Sequence, residues 1–164
     1  FKNMRGKKSV KRIIKPDPKF GNVTLAKFIN YVMLNGKKSV AQGIVYDAFD
    51  KIAATTKKNP LTVFEEAVKT VQPQLEVRSR RVGGANYQVP MPVRGERQNS
   101  LAFRWIIEAA RNKKGQPMYE RLATVLAETS QGIGDAIKRY DDVMRMAEAN
   151  KAFAHFARFS SKKK

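Results

Sequence analysis

Three arginines crowd into one short stretch of the chain, where residues 79 to 90 read SRRVGGANYQVP. Arg78, Arg80 and Arg81 stand within four positions, just before a Gly-Gly pair. Two glycines flanked by alternating apolar and polar residues are typical of a β-hairpin turn, because glycine accepts the positive φ that the turn needs. A guanidinium group pairs with phosphate through two hydrogen bonds and also stacks on bases. The stretch predicts a basic hairpin that binds a polyanion; the alternative is that its arginines only protect a strand edge.

A second basic surface is predicted on the helix that follows the hairpin. Arg97, Arg104 and Arg111 are spaced by seven residues. If the helix reaches back to Arg97, the three side chains lie along one stripe. The alternative is a solvated helix face whose charge is partly balanced by Glu108, four residues from Arg104 and three from Arg111.

Lysine pairs mark other places where a polyanion could bind. Lys113 and Lys114 extend the arginine stripe past the end of its helix, and Lys37 and Lys38 stand at the junction of the first two predicted helices. The pair at 57–58 is more typical of simple loop charges. Together with the hairpin, these elements could form one continuous basic surface.

Both ends of the chain are basic. Residues 1–19 hold eight basic residues against one acidic residue, Asp17, and Pro16 and Pro18 interrupt helix formation there. We predict a basic N-terminal arm over 1–19, mobile until a ligand orders it, and a basic tail over 158–164. Residues 20–157 are predicted to form one helical domain between them.

The sequence offers little for catalysis. It has no cysteine and one histidine, His155, which excludes disulfides, thiol nucleophiles and multi-histidine metal sites. His155 stands among apolar residues, as packed histidines do. Asp141 and Asp142 are adjacent, so on a helix they diverge by about 100° and cannot clamp a metal as a pair. Neither a P-loop nor a nucleophile elbow is present. We therefore predict no enzymatic activity, no cofactor and no metal site.

The net charge of +19 is the dominant feature of the composition, with a pI near 10.4. Self-repulsion of this size is tolerated when a polyanion neutralises it. Nucleic acid is the first candidate and an anionic membrane surface the second. The longest uncharged run, Val82 to Val93, contains glycines and prolines, whereas a membrane span needs roughly 18–20 apolar residues. The basic N-terminus lacks the apolar core of a signal peptide, which predicts a cytoplasmic protein.

Apolar periodicity predicts a mainly α fold, a bundle of about six helices with a protruding basic β-hairpin between helices three and four. Asn59 followed by Pro60 is typical of a helix start, and Gly36 and Pro73 are typical of helix ends. The helices are predicted at about 22–34, 41–52, 60–72, from 99 or 100 to 110, 117–132 and 135–149, and the strands at about 75–82 and 86–93.

These features leave two nucleic-acid interpretations. A basic body with a β-ribbon arm could grip duplex DNA as an architectural protein. It could equally bind folded RNA, where scattered arginines and flexible arms contact phosphates and 2′-hydroxyls. The DNA interpretation predicts a symmetric dimer with a long apolar interface helix. The short amphipathic helices here have a single apolar stripe each, as in a monomer, and therefore favour RNA.

Five motifs, in order, resemble the small-subunit ribosomal protein S-seven family in its bacterial form. The similarity spans nearly the whole chain, from about Lys11 to Arg158. Its motifs are PDPKFGN at 16–22, KFINYVMLNGKKS at 27–39, EVRSRRVGGANYQVP at 76–90, FRWIIEAAR at 103–111 and MAEANKAFAHF at 146–156.

The resemblance implies a ribosomal protein of translation: a ribonucleoprotein component of the cytoplasmic ribosome that acts as a monomer. It implies a primary binder of the 3′ major domain of small-subunit rRNA that nucleates head assembly. The hairpin and the C-terminal helix would lie near the exit-site tRNA and the mRNA, with proteins S-nine and S-eleven as neighbours. Some bacterial members also repress translation of their own operon.

The resemblance also assigns roles to individual residues. Contacts with rRNA are expected at the N-terminal arm, the first helix junction, the hairpin and the stripe after it, namely at Lys7, Lys8, Lys11, Arg12, Lys15, Lys19, Lys37, Lys38, Arg78, Arg80, Arg81, Arg94, Arg97, Arg104, Arg111, Lys113 and Lys114. Proximity to tRNA or mRNA is expected at Gly83, Gly84, Tyr87, Gln88, Lys151, His155 and Arg158.

Overall fold

The computed structural model describes residues 12–160, with the backbone alone for residues 157–160. The helices and strands follow in the order α1 Val23–Val32, α2 Lys38–Thr56, α3 Pro60–Val71, β1 Leu75–Val82, β2 Ala85–Pro92, α4 Glu96–Asn112, α5 Met118–Ser130, α6 Asp135–Ala149, and a C-terminal 3-10 helix Lys151–Ser160. The predicted fold class is confirmed: a helical bundle carries one antiparallel hairpin between its third and fourth helices.

Short local signals set where the first and third helices begin. The side chain of Asn22 accepts hydrogen bonds from the backbone N–H groups of Thr24 and Leu25, at 2.7 and 3.1 Å. Asn59 caps α3 in the same way, by accepting from the N–H of Leu61 at 3.0 Å. Each cap satisfies donors that would otherwise have no partner in the first turn.

The fourth helix begins at Glu96, earlier than the predicted start at Asn99 or Ser100. Gly95 precedes it with φ 54° and ψ −123°, which is a backbone conformation that favours glycine. The first turn contains only polar side chains, so the apolar periodicity cannot reveal it. The earlier start places Arg97 on the same helix as Arg104 and Arg111.

Four phenylalanines form the centre of the core. Phe28, Phe49, Phe64 and Phe103 are almost completely buried. The ring of Phe28 lies 5.1 Å from that of Phe64 and 5.3 Å from that of Phe103, in tilted and edge-on arrangements that aromatic pairs prefer. These rings join α1, α2, α3 and α4, and α5 packs against the last three of those helices. The apolar stripes of the helices are thereby used in the core.

The hairpin lies against the body rather than projecting free along its whole length. β1 and β2 pair antiparallel from Leu75 opposite Pro92 to Val82 opposite Ala85. Val89 is fully buried, and α6 and the 3-10 helix both pack on the hairpin. The second strand is displaced by one residue from its predicted range. Within residues 12–160, no helix is both long and apolar enough to cross a membrane.

Candidate nucleic-acid interface

The hairpin tip presents an exposed arginine, Arg81. Gly83 and Gly84 form the turn with φ of 58° and 90°. A residue with a Cβ atom would adopt these backbone angles only with strain. Arg81 lies beside this turn, opposite Asn86, and is exposed. It forms no ion pair within 4.0 Å with any described residue. Its guanidinium group is therefore free to bind an external anion.

The base of the hairpin is held by a buried carboxylate, Glu76, which is 8% exposed. Arg97 of α4 donates to one carboxylate oxygen, Oε2, from Nε and from Nη2, both at 3.0 Å. Arg78 forms an ion pair with the other oxygen, Oε1. The side chains of Arg78 and Arg97 stay 52% and 43% exposed. Both therefore serve the fold and still present part of each side chain to solvent.

Arg80 is half-buried, unlike its neighbour at 81. Its Nη2 approaches the sulfur of Met91 at 3.6 Å across the ribbon. A thioether is a weak acceptor that leaves the charge of the guanidinium group uncompensated. The three clustered arginines thus have three different surroundings: an internal carboxylate, a sulfur atom and open solvent.

The arginine stripe continues along the exposed face of α4. Arg104 is exposed, and its guanidinium carbon lies 5.9 Å from the centre of the Tyr31 ring. Arg111 is exposed and donates from Nη2 to the carbonyl oxygen of Val32 at 3.4 Å, near the end of α1. The alternative interpretation gave Glu108 a balancing role, but no ion pair within 4.0 Å joins it to either arginine.

The lysines of the predicted pairs also differ in whether they form an ion pair within the described part of the chain. Lys113 holds both oxygens of Glu128 at 2.8 Å, while Lys114 is exposed and has no ion pair with a described residue. Lys37 and Lys38 are exposed at the start of α2 and likewise have no ion pair in the described part of the chain. The lysines at 37, 38 and 114 are therefore available to bind an external anion. Lys113 instead links the end of α4 to α5 through its ion pair with Glu128.

The N-terminal arm is described only near its base. Lys7, Lys8 and Lys11 lie outside the described residues. Arg12 and Lys15 are exposed, without an ion pair to the rest of the described chain. Lys19 instead lies 3.5 Å from a carboxylate oxygen of Asp50.

The predicted tRNA-proximal residues fall on two elements that touch each other. The ring of Tyr87 in β2 lies 5.2 Å from that of Phe153 and 5.1 Å from that of Phe156. Gln88, Lys151 and His155 are exposed, and the side chain of Arg158 lies outside the description. Nδ1 of His155 is 2.8 Å from the carbonyl oxygen of Ala152. The hairpin and the 3-10 helix therefore present one joint surface.

Sequence reasoning missed three internal roles. It identified neither Glu76 as the partner of two arginines nor the aromatic contact between Tyr87 and the 3-10 helix. It also missed Asp17 as a buried carboxylate, described below. A signal for the first is present, since Glu76 and Arg78 share a strand face, and the spacing of Phe153 and Phe156 is a signal for the second.

The charge and architecture of the described residues define a class of protein. A basic helical body carries an arginine-rich ribbon, and no group of three or more His, Cys, Asp and Glu residues in the described part could hold a metal ion. Exposed guanidinium and ammonium groups are suited to phosphate, so the class is a nucleic-acid-binding protein.

Comparison with known proteins gives the family. Residues 4–151 match the model of the family described as Ribosomal protein S7p/S5e. The chain is 58% identical over 153 residues to the small ribosomal subunit protein uS7 of Thermotoga maritima, covering 93% of this chain and 99% of that protein. It is also 58% identical over 146 residues to uS7 of Rhodopseudomonas palustris, covering 89% of this chain and 94% of the relative. The chain therefore belongs to the ribosomal protein S7p/S5e family.

Membership confirms the coarse predictions made from the residues and the resemblance. The chain is a ribosomal protein of the small subunit, an RNA-binding part of a ribonucleoprotein in translation, and not an enzyme. Its place is the cytoplasmic ribosome, as predicted, and rRNA is its partner there.

Proposed function

We propose that this chain is a primary binder of the 3′ major domain of small-subunit rRNA and nucleates assembly of the subunit head. One observation carries the proposal: many exposed cations lack a carboxylate partner within 4.0 Å among the described residues. They occur at the arm base, the junction of α1 and α2, the hairpin, the connection into α4, α4 itself and the loop after it, as Arg12, Lys15, Lys37, Lys38, Arg81, Arg94, Arg104, Arg111 and Lys114. Charges left unpaired on a rigid body are available for phosphates without breaking internal ion pairs.

The distribution of these cations supports a folded RNA rather than a straight duplex. They sit on a turn, a strand end, a helix face and a terminal arm, which are elements of different direction. Folded RNA presents phosphates at irregular positions and is recognised by shape, so scattered cations on a fixed frame suit it. The salt dependence of binding then measures how many of them reach phosphates.

The hairpin tip and the C-terminal 3-10 helix are proposed to lie along the exit-site tRNA and the mRNA. The support is that Tyr87 brings the two elements together, so that the exposed groups of Gln88, Lys151 and His155 belong to one region. Proteins S-nine and S-eleven are proposed neighbours on the resemblance alone. Repression of the chain's own messenger is proposed on the same ground, since it would use the same cations.

The proposal is tested by titrating the protein with an rRNA fragment of the 3′ major domain at several salt concentrations, with duplex DNA and an unrelated RNA as competitors. Tight binding that survives both competitors is expected. Replacing Arg81, Arg104 and Lys114 with alanine should make the plot of log affinity against log salt less steep, by about 1 in the magnitude of its slope for each lost phosphate contact.

A control for general charge loss uses the loop pair Lys57→Ala and Lys58→Ala in the exposed α2–α3 connection, compared with the variant that replaces only the pair Arg81 and Lys114 with alanine. This control should keep its affinity apart from a small general charge effect. Equal competition by duplex DNA would overturn the proposal in favour of the architectural DNA-binding alternative.

A further inference from the structure

The motif PDPKFGN folds into a turn organised by one buried carboxylate, that of Asp17, which is 3% exposed. Its Oδ2 accepts hydrogen bonds from the backbone N–H groups of Lys19 and Phe20, both at 3.1 Å. Its Oδ1 accepts from the hydroxyl of Tyr46 in α2, at 2.7 Å. A buried carboxylate is costly unless its oxygens have donors, and here both oxygens have them.

The same turn is attached to α2 through its other side chains. The ring of Phe20 packs edge-on against Phe49 at 5.3 Å between centroids. Lys19 lies 5.1 Å above the ring of Tyr46 and 3.5 Å from a carboxylate oxygen of Asp50. Residues 46, 49 and 50 are spaced by three and four, so they lie on one face of α2. The turn is thus fixed to that face by hydrogen bonds, ring contacts and an ion pair.

The basic arm leaves the body at this turn. Pro16 and Pro18 flank Asp17, and each fixes its own φ and restricts the residue before it. Arg12 and Lys15 precede the turn, are exposed and have no ion pair with a described residue. A chain that leaves a rigid turn through a proline has few directions open to it.

We infer that Asp17 and Tyr46 are positioning residues for RNA binding: their hydrogen bond fixes the direction in which the basic arm leaves α2, and so holds Arg12 and Lys15 toward phosphates of the bound RNA. This inference rests on the proposed rRNA-binding function. It gives Lys19 a different role from that of a free phosphate contact, since its ammonium group is engaged within the anchor. Burial and the neighbouring carboxylate raise the pKa of Tyr46 to about 12, which keeps its hydroxyl protonated as a donor.

The anchor is tested first without RNA, through the distance between two spin labels. The chain has no cysteine, so Ile13→Cys, at a residue that is 96% exposed, and Ala54→Cys, on the exposed surface of α2, introduce unique labelling sites. We expect a narrow distance distribution in the otherwise unchanged chain. Tyr46→Phe removes only the hydroxyl, and it should broaden the distribution. Tyr119→Phe, which removes a longer hydrogen bond of 3.4 Å on α5, is the matched control and should leave it narrow.

RNA binding supplies the second readout. Asp17→Asn leaves one acceptor oxygen where two are needed, so it should weaken binding to the rRNA fragment and lower the salt slope by about 1 to 2. Replacing Arg12 and Lys15 with alanine should have a similar effect. Adding Asp17→Asn to that pair should cause a smaller loss than Asp17→Asn causes alone, because two of the cations that it positions are already gone.

The possible results separate the anchor from the proposed function. Distance distributions that stay unchanged in both Tyr46→Phe and Asp17→Asn would overturn the anchor, whatever the RNA result. Affinity losses that add fully in the combined variant would overturn it as well. If the unchanged chain shows no preference for the rRNA fragment over unrelated RNA, the proposed function fails, while the spin-label distances still decide whether Asp17 fixes the arm.

Discussion

Glu76 in β1 and Arg97 in α4 are joined by two hydrogen bonds of 3.0 Å, from Nε and Nη2 of the arginine to one carboxylate oxygen. The pair connects the base of the hairpin to the helix that follows it. Arg78 shares the same carboxylate, so one acidic residue organises two cations that also face solvent. The hairpin direction therefore depends on an internal ion cluster as well as on the packing of Val89.

Replacing Glu76 with glutamine should lower the free energy of unfolding by about 1–3 kcal/mol, because it leaves two guanidinium groups side by side without their shared anion. The effect should lie well below that of a fully buried pair, since both arginines are about half exposed. Urea denaturation measures it. Glu108→Gln, at an exposed residue of α4 that forms no ion pair with a described residue, is the control and should change stability by less than about 0.5 kcal/mol.

Alanine variants at Arg78 and Arg81 should separate an effect on stability from an effect on RNA binding. Arg81→Ala removes an exposed side chain that forms no ion pair within the described part of the chain, so it should weaken RNA binding and leave the free energy of unfolding within about 0.5 kcal/mol. Arg78→Ala should lower both quantities, because Glu76 loses one partner. Thermal melts and the rRNA titration on the same two variants provide the comparison. Equal stability losses in the two variants would contradict this assignment.

The local parts of this fold are predictable from the sequence. Asn59 and Pro60 mark the start of α3, and the glycines at 83 and 84 mark the hairpin turn, because each signal acts within a few residues. The start of α4 at Glu96 is not predictable from periodicity, since its first turn is polar. The fold class and the basic surface follow from patterns that do not depend on distant contacts.

The ion-pair and hydrogen-bond partners that could not be predicted from the sequence lie far from each other along the chain. The carboxylate of Asp17 meets a tyrosine 29 positions away, and Glu76 meets Arg97 21 positions away. Nothing in the spacing of these residues selects those partners, because tertiary packing brings them together. Net charge predicts that a polyanion binds, but it cannot distinguish a cation with an internal partner, such as Lys113, from one that has no ion pair among the described residues, such as Lys114.

The aromatic contact between Tyr87 and the 3-10 helix should determine how firmly that helix is held. Tyr87→Ala removes two ring pairs, each worth about 0.5–1.5 kcal/mol beyond its buried area. Hydrogen exchange of the amides at 151–156 should accelerate, while the core of α2 and α5 stays protected. Gln88→Ala changes an exposed neighbour on the same strand and is the control. Unchanged exchange at 151–156 in Tyr87→Ala would show that the rings do not hold the helix.

Tyr46 provides a pH-dependent test of the anchor. Its burial raises the pKa of the phenol first, and the hydrogen bond and negative charge of Asp17 raise it further, from 10.0 to about 12. In the unfolded chain the phenol loses its proton near the ordinary value. The folded state therefore binds more protons than the unfolded state between these two values, and stability must fall as the pH rises through that window.

The expected outcome is a difference between two unfolding curves measured across that window. At pH values below 10.0 the unchanged chain should exceed Tyr46→Phe in free energy of unfolding, because its hydroxyl donates to the buried carboxylate of Asp17. As the pH rises toward about 12, the difference should shrink, since only the unchanged chain carries the linked proton. Taking the difference cancels the titration of the lysines, which both proteins share. A difference that stays constant over the whole window would show that the hydroxyl is not coupled to Asp17 in solution.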